Sequence, residues 1–427
     1  MQVPFFRPQI TEHEIDEVVA TLRSGWLTSG PRAQRFEREF ADAVGGSYAV
    51  AVNSCTAALH LAVEALGLKP GQGVLVPTMT FAATAEVVRY LGAIPILVDC
   101  DPVTLNVDLI DAARRSSADY TDYTDDQKTK PEIVGIMPVH VGGLMMNPVA
   151  TQEFATEQGI WIVEDAAHAF PAACRRKWSG SGGQGSEVST GSGSDRVLPG
   201  DEQSEWHRCG EGTATVSCFS FYANKTITTG EGGMAVTDDE ELARRMRVMS
   251  LHGLSQDAWE RYSGGSSWDY RIIAPGFKYN LTDIAAAIGI HQLARAEAMR
   301  HERDAVARAY FERFAEVDEI ELPPDDENRI HSWHLFPIKL RLECLTIDRN
   351  QFVEELKQAG VGCSVHWRPL HLHPYYQQTF NYKAEDFPVA TAVWHRLISL
   401  PIFPGMRSDE IEHVIETVRT ICRRSRK

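Results

Sequence analysis

The segment CFSFYANKTITTGEGGMAVTDD (218–239) sets Lys225 between an aromatic run, Phe219, Phe221 and Tyr222, and a Thr/Gly turn. A lysine so flanked is drawn partly out of water. Partial burial lowers its pKa and frees the amine for Schiff-base chemistry. An ordinary loop lysine fits this segment equally well. In WIVEDAAHAF (161–170), Asp165 closes a buried apolar strand. A carboxylate at that point can pair with the protonated ring nitrogen that a pyridinium-type electron sink needs, and His168 can steady the carboxylate or cover the ring. Asp165 alone also suits a helix N-cap. NSCTAALH (53–60) is a strand-to-helix junction whose free N–H groups, with Thr56 beside them, make a phosphate cradle; capping by Ser54 accounts for the same residues. Phe81 opens the next helix and offers either a stacking face for a ring or a core side chain. In chain order the sequence therefore holds a phosphate cradle, an aromatic face, an acid for a ring nitrogen and a Schiff-base lysine.

The elements that must position these residues are readable from hydrophobic period. YAVAVN (48–53), GVLVP (73–77), IPILVD (94–99), EIVGIMPVHV (132–141) and GIWIVED (159–165) read as buried strands. Between them RAQRFEREFADAVG (32–45), SCTAALHLAVEALGL (54–68) and TFAATAEVVRYLG (80–92) have helical spacing, and Asn147 and Pro148 mark N-cap and N1 of a helix over 148–158. Short apolar strands alternating with helices predict a mostly parallel sheet covered on both faces, with ligands beyond the carboxyl ends of the strands. Three of the four candidate features fall there. After about 255 the pattern changes to a long helix over 284–317, a strand SWHLFPIKL (332–340), a helix over 348–360 and a terminal helix over 408–424. This predicts a smaller C-terminal α/β domain. Two polar tracts interrupt the pattern. SSADYTDYTDDQKTK (116–130) reads as a connector, and the Gly/Ser-rich stretch of about 175–212 reads as a flexible surface loop. The GxGxxG match at Gly180, Gly182 and Gly185 neither follows a strand nor opens a helix, so it does not read as a dinucleotide site.

Composition bounds the function class. Of 427 residues, 58 are Asp or Glu against 42 Lys or Arg, leaving a formal charge of -16, which argues against a general nucleic-acid or anionic-membrane partner. Hydrophobic residues make up 43% of the chain, enough for a large core. No stretch approaches the roughly 18 apolar residues of a membrane span, and the first residues lack the apolar run of a signal peptide. The eight cysteines are scattered without a CxxC pair, as in a reduced, cytoplasmic protein.

The motifs SGWLTSGP (24–31), SCTAALHLAVEALGL, PTMTFAATAEVVRYLGAIPILVDCDPVTLNVD (77–108), VEDAAHAF and SFYANKTITTGEGG resemble those of one family. So do HGLSQDAW (252–259), GFKYNLTDIAAAIGIHQL (276–293) and SVHWRPLHLHPYY (364–376). They are similar to the DegT/StrS-type pyridoxal-phosphate-dependent nucleotide-sugar aminotransferases of fold type I, and the likeness covers nearly the whole chain in order. The resemblance implies a three-layer α/β sandwich with a mostly parallel central sheet. Residues 1–255 would be the large pyridoxal-phosphate domain, carrying the insertion of about 175–212, and 256–427 the smaller domain. It assigns Lys225 as the catalytic Schiff-base lysine and Asp165 as the partner of the pyridine nitrogen. Phe81 lies against the ring with His168 nearby, and Thr56, the Ala57 backbone and Ser220 hold the phosphate. Asn280 reaches the phosphate of a partner subunit, which implies a homodimer with shared sites. Thr28, in the 26–30 turn, and His366 lie near the sugar nucleotide.

The implied reaction is ping-pong. L-Glutamate gives 2-oxoglutarate, and the amine then passes to the 4-keto group of a nucleotide-diphosphate ketosugar, UDP-linked by the look of KYNLTDIAAAIG and HGLSQDAW. Amination at C3, or a cofactor-binding regulator without turnover, are the rival readings; a dehydratase with histidine in place of the lysine is opposed by Lys225. The family usually has a much shorter connection between Asp165 and Lys225, so the Gly/Ser tract is a departure. The histidines His366, His371 and His373 have no carboxylate or cysteine close by in sequence, and no metal is expected.

Overall fold

The computed structural model describes residues 1–117, 130–175, 206–255 and 271–427. The GxGxxG match, most of both polar tracts and the end of HGLSQDAW lie outside the described residues. The chain opens with helices α1 (Glu12–Ser24) and α2 (Pro31–Val44), then β1 (Tyr48–Val52), α3 (Cys55–Ala65), β2 (Gly73–Pro77), α4 (Ala82–Tyr90), β3 (Ile94–Val98) and α5 (Leu109–Ser116). There follow β4 (Ile133–Ile136), α6 (Pro148–Gln158), β5 (Trp161–Asp165), β6 (Ala173–Arg175), β7 (Trp206–Arg208), β8 (Val216–Ser220), β9 (Gly233–Thr237) and α7 (Glu240–Met249).

The central sheet has seven strands in the order β1-β9-β8-β5-β4-β2-β3. Only β9 runs against its neighbours; the other pairings, β8-β5-β4-β2-β3, are parallel. The strands β2, β3 and β9 are buried at every position, as sheets covered on both faces require. Helix starts follow the expected chemistry. Ser54 caps α3 by accepting the Ala57 N–H, and Asn147 caps α6 with Pro148 at N1.

Beyond the sheet come α8 (Asp283–Ala294), α9 (Ala296–Phe314), β10 (Ile320–Glu321), β11 (Arg329–Ile330), β12 (Phe336–Leu340), α10 (Arg349–Gln358), α11 (Pro374–Phe380), α12 (Pro388–Trp394), β13 (Leu397–Leu400) and α13 (Ser408–Ser425). Strands β10, β12 and β13 form an antiparallel sheet whose Phe336, Ile338, Ile398 and Leu400 pack on Phe352, Val414 and Val418. Among the described residues no helix is long and apolar enough to cross a membrane.

Four expectations need correction. The long helix over 284–317 breaks at Arg295, whose φ of -110° and ψ of 2° leave the helical region. The strand expected over 132–141 stops at Ile136, because Pro138 has no N–H for a ladder. The strand expected from Ser332 begins only at Phe336. Trp333 has φ 49°, and the Ser332 and Leu335 N–H groups donate to the Gly143 and Gly142 carbonyls instead. Gly143 must be glycine here: its φ is 100°, and a Cβ would lie 2.8 Å from the His168 carbonyl oxygen. Finally, the expected flexible loop is ordered at both margins. Arg175 and Trp206–Arg208 belong to a small sheet, β11-β6-β7, and Cys209 is buried with its N–H on the Ala172 carbonyl.

One close approach governs the site. Strand β9 begins against the start of α3, where a Cβ on Gly233 would fall 2.4 Å from the Ser54 carbonyl carbon. Gly233→Ala should force backbone apart and lower stability by about 1–3 kcal/mol, read as an earlier urea midpoint. An unchanged midpoint would contradict this contact.

Candidate active site

At the carboxyl end of the parallel strands a cavity of about 370 Å³ opens. It collects Thr56 from α3, Phe81 from the start of α4, Asp165 from the end of β5, His168 just after it, Ser220 from the end of β8, and Lys225 and His366 from loops. Residues singled out in five separate stretches of sequence thus line one space. Ala57 does not line it; its N–H is held by Ser54 Oγ at 3.1 Å. Thr28 and Asn280 lie elsewhere, and they lie together. Asn280 Nδ2 donates to Ser29 Oγ at 2.7 Å, and the Asp283 N–H donates to the Thr28 carbonyl. The buried Asp283 carboxylate in turn accepts the Gly30, Arg32 and Ala33 N–H groups at the start of α2.

Asp165 is 5% exposed. Its Oδ2 accepts the Thr84 hydroxyl at 2.7 Å, and Oδ1 accepts the Ala167 N–H at 3.2 Å and faces the Cys55 thiol at 4.0 Å. Burial raises its pKa, against the opposing pull of these donors and of Lys225. Glu164, one residue back, projects to the other face of the strand and is held by Thr213 and Ser217 hydroxyls, each at 2.7 Å. Burial draws the Lys225 amine down to about 8, with Asp165 resisting the fall. His168 accepts the Gly142 N–H on Nδ1 at 3.3 Å, and burial holds its pKa far below the ordinary histidine value. His366 Nδ1 meets Ser399 Oγ at 2.9 Å.

The residues fit pyridoxal phosphate. A buried carboxylate with spare acceptor capacity and a raised pKa is stabilised by a protonated ring nitrogen. The α3 start, with Cys55 and Thr56 on the cavity and the Ser220 hydroxyl also lining it, offers donors to an anion. A lysine whose amine burial draws down to about 8 would supply the amine. The histidines that cluster in sequence with His366 are spent separately: His371 bonds Thr78 and Thr391, and His373 bonds the Arg368 carbonyl.

Four residues of the site are not evident from the sequence. Cys55, His334 and Trp367 border the cavity, and Thr84 holds Asp165. Thr84 sits three residues after Phe81 on the same helix face, which is the only local signal for it. His334 is hidden inside a stretch that reads as strand.

A family model for the DegT/DnrJ/EryC1/StrS aminotransferase family matches residues 8–419. The spore coat polysaccharide biosynthesis protein SpsC of Bacillus subtilis is 39% identical over 422 residues, spanning 99% of this chain and 97% of that protein. Spr1654 of Streptococcus pneumoniae, solved in PLP and PMP forms, superposes with a TM-score of 0.82 at 29% identity, over 99% of this chain and 98–99% of that one. The sugar aminotransferase CalS13 of Micromonospora echinospora gives 0.78 at 26% identity, over 98% and 100% of the two chains.

The lowered pKa of Lys225 has a direct readout. At pH 7.5 an amine titrating near 8 is on the order of 100-fold richer in free base than one at the ordinary 10.5. Brief acylation of the cofactor-free protein, followed by peptide mass spectrometry, should label Lys225 with half-maximal rate near pH 8 and progressively less below it. A profile rising only above about pH 10 would contradict the burial.

Proposed function

This chain belongs to the DegT/DnrJ/EryC1/StrS aminotransferase family and is a pyridoxal-phosphate-dependent sugar aminotransferase; from that premise we propose that it moves an amino group from glutamate to the 4-keto carbon of a nucleotide-diphosphate ketosugar, with UDP as the carrier. The observation that carries the catalytic part is the meeting of Lys225 and Asp165 in one buried cavity beside a helix start.

The bound cofactor supplies a protonated pyridine ring that takes up electron density from the carbon losing its proton. Asp165 holds the proton on the ring nitrogen, and Thr84 and the Ala167 N–H hold Asp165. Thr56, Ser220 and the first N–H groups of α3 grip the phosphate, with Ser54 already closing the Ala57 N–H. Phe81, 61% exposed at the cavity mouth, offers a flat face to a planar ring, with the buried His168 nearby. Lys225, as a free amine, would take the proton from the amino donor's Cα and hold it for return in the same half-reaction; a pKa near 8 would leave it able to do both at neutral pH. The second half-reaction reverses these transfers on the ketosugar, with His366 on the sugar side. Thr28 and Asn280, placed together outside their own chain's cavity, are suited to complete the site of a second protomer, Asn280 at the phosphate and Thr28 at the sugar nucleotide. The enzyme is therefore read as a homodimer.

Purified protein supplied with glutamate and a panel of nucleotide ketosugars should aminate a UDP-4-ketosugar, detected by mass. Lys225→Ala should lower the rate by at least about 10³-fold, since the residue is both base and acid. Turnover confined to 3-keto substrates would move the amination to C3. Full activity in Lys225→Ala would overturn the assignment.

A further inference from the structure

The side-chain donors lining the cavity are, among the described residues, nearly all uncharged. Among the described residues lining the cavity, Lys225 is the only ammonium or guanidinium group. The same wall carries three imidazoles, His168, His334 and His366, brought from the loop after β5, the turn before β12 and the loop before α11. The His168 and His334 rings are 4.1 Å apart, and Trp367 stacks on His168 at 5.0 Å. Lys225 acts electrostatically on all three, and burial with that nearby charge keeps all three neutral, His366 at about 4.

Hydrogen bonds fix the tautomers of His168 and His366 from behind. His168 Nδ1 accepts the Gly142 N–H, so its proton sits on Nε2. Ser399 is fully buried, and among the described residues its hydroxyl has His366 Nδ1 as its hydrogen-bond partner. The hydroxyl proton is satisfied only by donating to Nδ1, which again places the ring proton on Nε2. His334 is 5% exposed and its Nδ1 is sealed without a partner. A proton there would be buried and unpaired, so Nε2 carries it toward the cavity. Three neutral rings thus turn an Nε2–H to one space.

We propose that His334, together with His168 and His366, forms a neutral N–H receptor for the carboxylate of the amino donor. This rests on the aminotransferase reading above and names the part of the site that takes the donor. The carboxylate of an amino acid is bonded directly to the reacting carbon, so its receptor must stand beside Lys225. The diphosphate of a nucleotide sugar is a sugar ring away. A neutral receptor also suits a site that takes two substrates in turn. In the second half-reaction the same N–H groups meet uncharged sugar hydroxyls, where a guanidinium would be left buried without a counter-charge.

The test is calorimetric titration of 2-oxoglutarate into the full-length protein loaded with pyridoxal phosphate, where no turnover occurs. His334→Phe, which keeps the ring shape and loses the donor, should weaken binding about tenfold or more, as the loss of a hydrogen bond to a charged group does. His334→Gln, which restores an N–H donor, should recover most of that affinity. Ser399→Ala, which frees the His366 tautomer, should weaken binding by about three-fold, and it decides the matter if His334→Phe does not fold. Inorganic pyrophosphate, titrated in parallel, should be indifferent to all three substitutions. Unchanged 2-oxoglutarate affinity in both His334→Phe and Ser399→Ala, or a loss that falls on pyrophosphate instead, would overturn the receptor while leaving the aminotransferase reading intact. Absence of 2-oxoglutarate binding by the unsubstituted protein, with no spectral change on adding glutamate, would overturn the donor assignment and the receptor with it.

Discussion

The site depends on keeping a carboxylate and an amine, Asp165 and Lys225, out of water in the same cavity. Burial raises the first and lowers the second, so each is pushed toward its neutral form, and each partly restrains the other. A protonated ring nitrogen set against Asp165 would relieve the carboxylate and leave the lysine a nucleophile at neutral pH. The fold maintains this tension by supplying short, directed donors, the Thr84 hydroxyl and the Ala167 N–H, in place of solvent.

The parallel sheet explains why those groups meet. Strands β5 and β8 are paired in parallel, so Asp165 and Ser220 both come at their carboxyl ends. Alternation along β5 sends Asp165 to the cavity and Glu164 to a separate cluster of hydroxyls, which keeps two consecutive carboxylates apart. The single reversed strand, β9, brings Gly233 against the start of α3 and so fixes the helix start that borders the cavity. Elsewhere the Gly142-Gly143 turn lets 332–335 lie close, and that approach delivers His334.

Much of this was legible in the sequence, for an identifiable reason. Asp165, Thr56 and Phe81 sit at the end of a strand or the start of a helix, junctions marked by a change of period, and Lys225 is marked by the aromatic run before it and the Thr/Gly turn after it. Thr84 and His334 were not legible, because what matters about them is a partner far away in the chain: Asp165 for one, and His168 for the other. Trp206–Arg208 is likewise a strand only because Ala173–Arg175 stands beside it, and the sequence around it carries no apolar period. Thr28 and Asn280 lie in motifs, but their meeting through Ser29 and Asp283 is a contact between distant parts of the chain that no local pattern marks. The charge of -16 proved uninformative about the ligand, since among the described residues lining the cavity the side-chain donors are hydroxyls, imidazoles, the Trp367 indole, the Asn224 amide and one lysine.

Everything proposed for the site turns on Lys225 as the residue that holds the cofactor. Borohydride reduction of the protein loaded with pyridoxal phosphate, followed by peptide mass spectrometry, tests this most directly. The added mass should be fixed on the peptide containing Lys225. Fixation on any other lysine, with Lys225 unmodified, would contradict it.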